Sequence, residues 1–265
     1  MTRDLIYDVG MNNGDDTAYY LHRGYRVVAV EATPELVRSA EQRFQAEIAA
    51  GRLVIINAGI AEREGELPFW ICEMHSEWSS FDRSIASREN SGHYQISVPC
   101  VRFRSLLEQF GVPFYLKIDI EGNDHLCLRD LDRETAPTHL SVEASDISLL
   151  DLLRDLGYDR FKCISQFHYL PLELPPSALQ IEFEEKVRAN DSIAKFRQLD
   201  GWQFIHGSSG PFGEDLPGRW QEYDEMKATF GHFKEVMRQG VPTPFWNDRG
   251  YSFWADFHAA KSADL

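Results

Sequence analysis

The 265-residue sequence predicts a doubly wound α/β fold, a mostly parallel sheet with helices on both faces. Three observations carry this. Through about residue 165, short runs rich in Val, Ile and Leu alternate with amphipathic stretches. The runs are apolar at nearly every position, as strands covered on both faces are. The first of them, Leu5 to Val9, leads into Gly10 and Gly14, and the second ends in Glu31, which is how a nucleoside-binding βαβ unit of the Rossmann-like type begins.

The elements follow in order. After the strand Leu5 to Val9 comes a short helix, Asp15 to His22, with Gly24 beyond its end as a usual stop. The second strand is Arg26 to Glu31. Thr33 stands at a cap position with Pro34 in the first helical turn, and Leu36, Val37, Ala40, Phe44 and Ile48 recur at helical spacing until Gly51. Strands three, four and five are Leu53 to Asn57, Phe114 to Ile120 and His139 to Val142. Ser148 with Asp151 forms a capping-box-like start to the helix Leu149 to Leu156, and Gly157 ends it before a sixth strand near Phe161 to Ile164. Phe253 to His258 alternates and predicts a final antiparallel edge strand.

Two stretches interrupt the alternation. Cys72 to Pro99 is a polar loop carrying His75, Trp78, Ser79, Ser80 and His93; longer than a crossover needs, it reads as an active-site lid. Residues 170–251 read as an insertion between the last two strands, with helices near Glu182 to Gln198 and Glu222 to Arg238. The expected organisation is a cofactor-binding core over 1–169, a substrate-binding insertion over 170–251, and a last strand returning to the core within 252–265. The aromatics Trp202, Phe204, Phe212, Trp220, Phe245, Trp246, Tyr251 and Trp254 form a substrate wall, a dimer face or, for most of them, the core of the insertion.

Composition excludes several function classes. With 43% hydrophobic and 26% charged residues the chain is an ordinary globular sequence able to bury a full core. Its 27 basic and 42 acidic residues leave a charge of −15, and no basic run interrupts the excess. Such a field repels phosphate backbones and anionic lipid, so neither nucleic acid nor a membrane is expected as partner. The four cysteines form no CxxC pair, and no signal peptide or spanning apolar run is evident, so reduced thiols and a cytoplasmic location are expected. A homodimer stays open.

The glycine pattern narrows the ligand. Glu31 lies twenty-one positions past Gly10, where a carboxylate accepts hydrogen bonds from ribose hydroxyls. A dinucleotide site wants a second glycine at position 12 so that a pyrophosphate can lie on the helix N-terminus; here Asn12 stands there. Asp8, placed in the crevice, would repel pyrophosphate but could pair with an ammonium, which suits S-adenosylmethionine. A second cluster, Tyr115 to Asp124, puts Asp119 and Glu121 at the carboxyl end of the fourth strand, facing the crevice beside the first.

Two motifs, D-x-G-x-x-x-G-x-x-T from Asp8 to Thr17 and K-I-D-I-E-G from Lys117 to Gly122, stand intact. By them the chain resembles the FkbM family of S-adenosylmethionine-dependent methyltransferases over roughly residues 4 to 165. The resemblance implies a class I methyltransferase sheet, with Asp8, Gly10 and Thr17 lining the methionine end of the cofactor, Glu31 the ribose, and Asn57 with Ala58 the adenine. Asn12, Gly14 and Ala32 belong to the same binding loops. A serine pair after strand three, Ser79 and Ser80, would also contact the cofactor.

Methyl transfer needs alignment, exclusion of water and, for a protonated nucleophile, a base. Asp119, Glu121 and His168 are the candidates. Asp119 could instead bind cofactor, Glu121 could be a helix N-terminal acid, and His168 a partly buried histidine with a local partner. Asp119, Glu143 and Asp146 could offer oxygen ligands to Mg²⁺, although acidic strand ends are also common without a metal. The expected activity is O-methylation of a small-molecule or saccharide hydroxyl. The alternatives are N-methylation of a small amine, a nicotinamide-dependent oxidoreductase on the same fold, and a binding module without turnover.

Overall fold

The computed structural model describes residues 2–167, 169–188, 198–205, 207–239 and 254–265. His168, Phe245, Trp246 and Tyr251 lie outside them. The chain forms two compact units, Met1–Pro137 and Thr138–Leu265. The division falls ahead of the boundary expected at residue 169.

The first unit contains, in order, β1 (Thr2–Val9), α1 (Asp15–His22), β2 (Arg26–Glu31), α2 (Pro34–Arg43), α3 (Gln45–Ala49), β3 (Leu53–Asn57), β4 (Gly59–Ile60), β5 (Gly65–Cys72), α4 (Arg83–Ala86), β6 (His93–Val101), α5 (Phe103–Phe110), β7 (Pro113–Ile118) and α6 (Asp124–Asp130). Strands β3, β2, β1 and β7 lie side by side in that order, all parallel. Ile6, Val9, Val28, Val30, Leu116 and Ile118 are buried, which is why these strands read as continuous apolar runs. The register sets Asp8 level with Ala29 on one side and Lys117 on the other. The helix expected from Pro34 to Gly51 is broken at Phe44, whose backbone leaves the helical region while its ring is buried.

The stretch Cys72 to Pro99 is not a loop throughout. Its C-terminal part belongs to β6, which runs antiparallel to β5 from Cys72↔His93 to Gly65↔Cys100 and parallel to β4, making a small second sheet of order β4-β6-β5. Ala61, Phe69, Ile71, Val98 and Cys100 form its core. Pro68 and Pro99 argue against strands in the sequence; both are tolerated because β5 is an edge and β4 pairs only with Cys100 and Val101. What remains of the expected lid is the tip, residues 73–92, which folds back so that Ser80 and Trp70 exchange backbone hydrogen bonds.

The second unit contains β8 (His139–Glu143), α7 (Ile147–Asp155), β9 (Arg160–Ser165), α8 (Ala178–Arg188), the short strands β10 (Gln198–Leu199) and β11 (Trp202–Gln203), α9 (Tyr223–Arg238) and β12 (Ala255–Ala260). The expected antiparallel strand is β12, but it is not at an edge. It pairs with β8 on one side and β9 on the other, and all six of its residues are buried. Helix α7 is capped by Asp146, which accepts from the Ser148 amide, instead of by Ser148 itself.

Helix α9 buries Met226, Thr229, Phe230 and Phe233, with the Phe230 ring 4.9 Å from that of Phe257 on β12. Much of the expected insertion is therefore built into this unit's core. Phe204 and Phe212 are buried there too. All four cysteines are free and buried. Among the described residues, no helix is long and apolar enough to cross a membrane.

Candidate active site

A cleft opens in the first unit at the carboxyl ends of its parallel strands, where open α/β sheets bind their ligands. Four stretches build it: Gly10 and Asn12 after β1, Val30 to Ala32 at the end of β2, Ala58 to Ile60 after β3, and Asp119 to Glu121 after β7. The small sheet closes one side with Phe69, and its tip adds Ser76, Glu77, Ser79 and Phe81.

Two backbone amides fix Glu31 in place. One carboxylate oxygen accepts the Asn12 amide at 2.9 Å and the other accepts the Thr33 amide at 2.7 Å. Burial raises its pKa above the ordinary 4.5, against the lowering effect of those amides. Asn57 does not line the cleft. Its side-chain amide donates to the carbonyls of Glu31 and Ala32, pinning the backbone that presents Glu31.

Asp8, expected to face the ligand, is fully buried. It accepts the Thr17 hydroxyl at 2.6 Å, and its other oxygen lies 3.3 Å from the Lys117 ammonium. The cation it pairs with is thus the chain's own. Asp8 and Thr17 form a layer beneath the cleft, and sequence reasoning gave Lys117 no role, although the second motif begins with it. Gly10 and Gly14 both have positive φ, and a Cβ on Gly14 would come within 2.8 Å of the Phe44 ring. Their freedom serves close packing within the protein as well as access to a ligand.

The two serines divide. Ser79 lines the cleft and its hydroxyl accepts the Cys72 amide. Ser80 is buried and donates to the Glu121 carbonyl at 2.7 Å, tying the tip to the end of β7. Ser76 donates to the Asn12 side chain at 2.8 Å and ties the tip to the glycine loop.

Asp119 and Glu121 both reach the cleft. The Asp119 carboxylate is 39% exposed, the more open of the two. Glu121 adopts φ +46°, rare for a residue with a side chain, and its carboxylate is bound by Arg88 at 3.0 Å. The turn is held by Asp124, whose two oxygens accept the amides of Ile120 and Gly122. Burial pushes the Asp124 carboxyl upward, with the amides opposing. Of the oxygen set considered for Mg²⁺, Asp119 belongs to the first unit, Glu143 and Asp146 to the second, and Asp146 already serves as a helix cap.

A parallel sheet with a ligand cleft beyond its strand ends, a pinned acid after the second strand and a small closing sheet define a Rossmann-like cofactor-binding domain. The chain belongs to the methyltransferase FkbM domain family, whose profile matches residues 8–160. Among solved structures, the chain is similar to the methyltransferase FkbM from Methylobacillus flagellatus KT, with 18% identity and a TM-score of 0.40, over 58% of this chain and 36% of that one. It thus spans about a third of that relative's length. It is also similar to the O-methyltransferase region of StiE, with 10% identity, a TM-score of 0.41, and 98% and 68% of the two chains covered. A third is the precorrin 8W decarboxylase from Methanobacterium thermoautotrophicum, with 16% identity, a TM-score of 0.37, and 62% and 68% covered. No curated protein matches the chain.

Proposed function

We propose that the chain transfers a methyl group from S-adenosylmethionine to a hydroxyl of a small-molecule or saccharide acceptor. The observation that carries this reading is the charge of the cleft. Glu31, Glu77, Asp119 and Glu121 line it, and no Lys or Arg side chain is among its lining residues as far as the described residues go. A pyrophosphate would meet four carboxylates, and the first turn of α1, where a dinucleotide site receives phosphate, carries Asp15 and Asp16. A cofactor bearing a sulfonium and an ammonium suits that surface, and a nicotinamide dinucleotide does not.

The residues present fit the cofactor. Glu31 keeps lone pairs for ribose hydroxyls beyond the two amides it accepts. Ala58, Ile60, Phe69 and Phe81 would hold the adenine, and Gly10 and Asn12 the amino-acid end. When bound, S-adenosylmethionine supplies an already activated methyl electrophile. The chain's own residues then need to orient the acceptor, keep water out and take a proton. Asp119 is the open carboxylate for that last task, since Glu121 is held by Arg88. A hydroxyl must lose its proton as it attacks and an amine need not, so a carboxylate at the reacting end favours O-methylation.

The test is transfer of a labelled methyl group to panels of hydroxyl and amine acceptors. Labelling of hydroxyl compounds supports the reading. Labelling of amines alone, or retention of NAD in place of S-adenosylmethionine, overturns it.

A further inference from the structure

We infer that Lys117 is a positioning residue of the cofactor site: its ammonium holds Asp119 at the cleft and limits the negative field that the cleft presents to a cationic ligand. The inference rests on the cofactor reading above. Lys117 lies in β7 and Asp119 just beyond its end, and their charged groups meet across the intervening residue. The Lys117 ammonium donates to the Gly10 carbonyl at 2.9 Å. It lies 3.3 Å from Asp8, 3.6 Å from Asp16 and 3.7 Å from Asp119. Asp8, Asp16 and Lys117 are buried, whereas Asp119 opens to the cleft. Lys117 therefore connects a sealed layer of charge to the two places, Gly10 and Asp119, where the protein meets its ligand.

A buried ammonium is costly unless it is matched. Here burial works against the charge, but Asp8, then Asp119 and Asp16, outweigh it and raise the lysine pKa well above 10.5. The group stays protonated. An apolar side chain of similar length could fill the same space. What it could not supply is a cation that draws the Gly10 carbonyl and the Asp119 carboxylate toward one point and offsets part of the latter's charge.

S-adenosylmethionine carries a sulfonium, whereas its demethylated product S-adenosylhomocysteine has a neutral thioether, so the pair reports the field. Calorimetry compares the two on Asp8→Asn, on Asp8→Asn with Lys117→Met, and on that pair with Asp119→Asn added. Neutralising Asp8 removes one of the two buried carboxylates that the lysine change would strand, and Asp16→Asn carried in all three variants removes the other. Removing Lys117 should raise the preference for the cationic ligand about tenfold, and Asp119→Asn should cancel the rise. Equal weakening of both ligands would mean a merely structural lysine and overturn the inference. If the lysine variant does not fold, Asp119→Asn alone decides it through the ζ-nitrogen resonance of Lys117: a shift supports the coupling, and an unchanged resonance refutes it. Failure of the cofactor reading is recognised separately, as absence of binding of either ligand to the unaltered protein.

Discussion

A Cβ on Gly10 would come within 1.7 Å of the carbonyl oxygen of Asp119. Gly10 follows β1 and Asp119 follows β7, and the Asp119 amide donates to the Val9 carbonyl at 2.9 Å, so the parallel ladder continues to the contact itself. The two cofactor-facing loops meet backbone to backbone there, with the Ile120 side chain beside them.

Gly10→Ala should therefore destabilise the first unit. The clash is with backbone, which cannot swing aside, and the φ of +89° adds strain. A loss of about 2–4 kcal/mol is expected in urea unfolding. A loss within error would mean that the loops can separate at little cost.

Glu31→Ala should weaken S-adenosylmethionine about ten- to a hundredfold, because hydrogen bonds to a charged group contribute about 1.5–3 kcal/mol. The raised pKa adds a pH signature. Ribose hydroxyls donate to the ionised form, so affinity should fall as pH drops through a value above 4.5. The sign for stability is opposite: the folded state binds the proton more readily, so this group's contribution to stability falls as pH rises through the same window. Calorimetry on Glu31→Gln should show the pH dependence of binding gone.

Asp119→Asn keeps shape and removes charge. Loss of turnover by at least about a hundredfold, against at most about a tenfold loss of cofactor affinity, is expected of a base. The reverse pattern identifies a pure cofactor ligand. Activity in the presence of a chelator should be unchanged; loss restored by Mg²⁺ would replace the base with a metal ligand.

In the second unit, burial first, then Lys162 and His139, hold the His258 imidazole neutral down to about 3, against an ordinary 6.5. The unfolded chain takes the proton earlier, so stability should decline as pH falls from 6.5 toward 3. His258→Phe should flatten that decline in thermal melts recorded across the window.

The sequence made the strands of the first sheet legible because burial on both faces leaves an apolar run with sharp ends; Arg26–Glu31 and Leu53–Asn57 match residue for residue. It made the position of Glu31 legible for the same reason. It did not show the β5–β6 pair, where two prolines and scattered polar residues mask an edge ladder. Nor did it show which way Asp8 faces. A carboxylate next to a glycine loop looks like a ligand group until its cation is found, and that cation is more than a hundred positions away on β7. The place of β12 was equally hidden, since alternation describes a strand and not its neighbours.

That place governs the order in which the chain can be built. The strands of the first unit are complete once Ile118 has been made. The second unit must wait, because β8 and β9 flank a gap that only Ala255–Ala260 fills. Until then two strands hold open edges toward a missing neighbour, and closing them means bringing together segments far apart in the chain. During synthesis the first unit can settle early, while the second is the part whose unpaired edges are exposed longest to wrong partners.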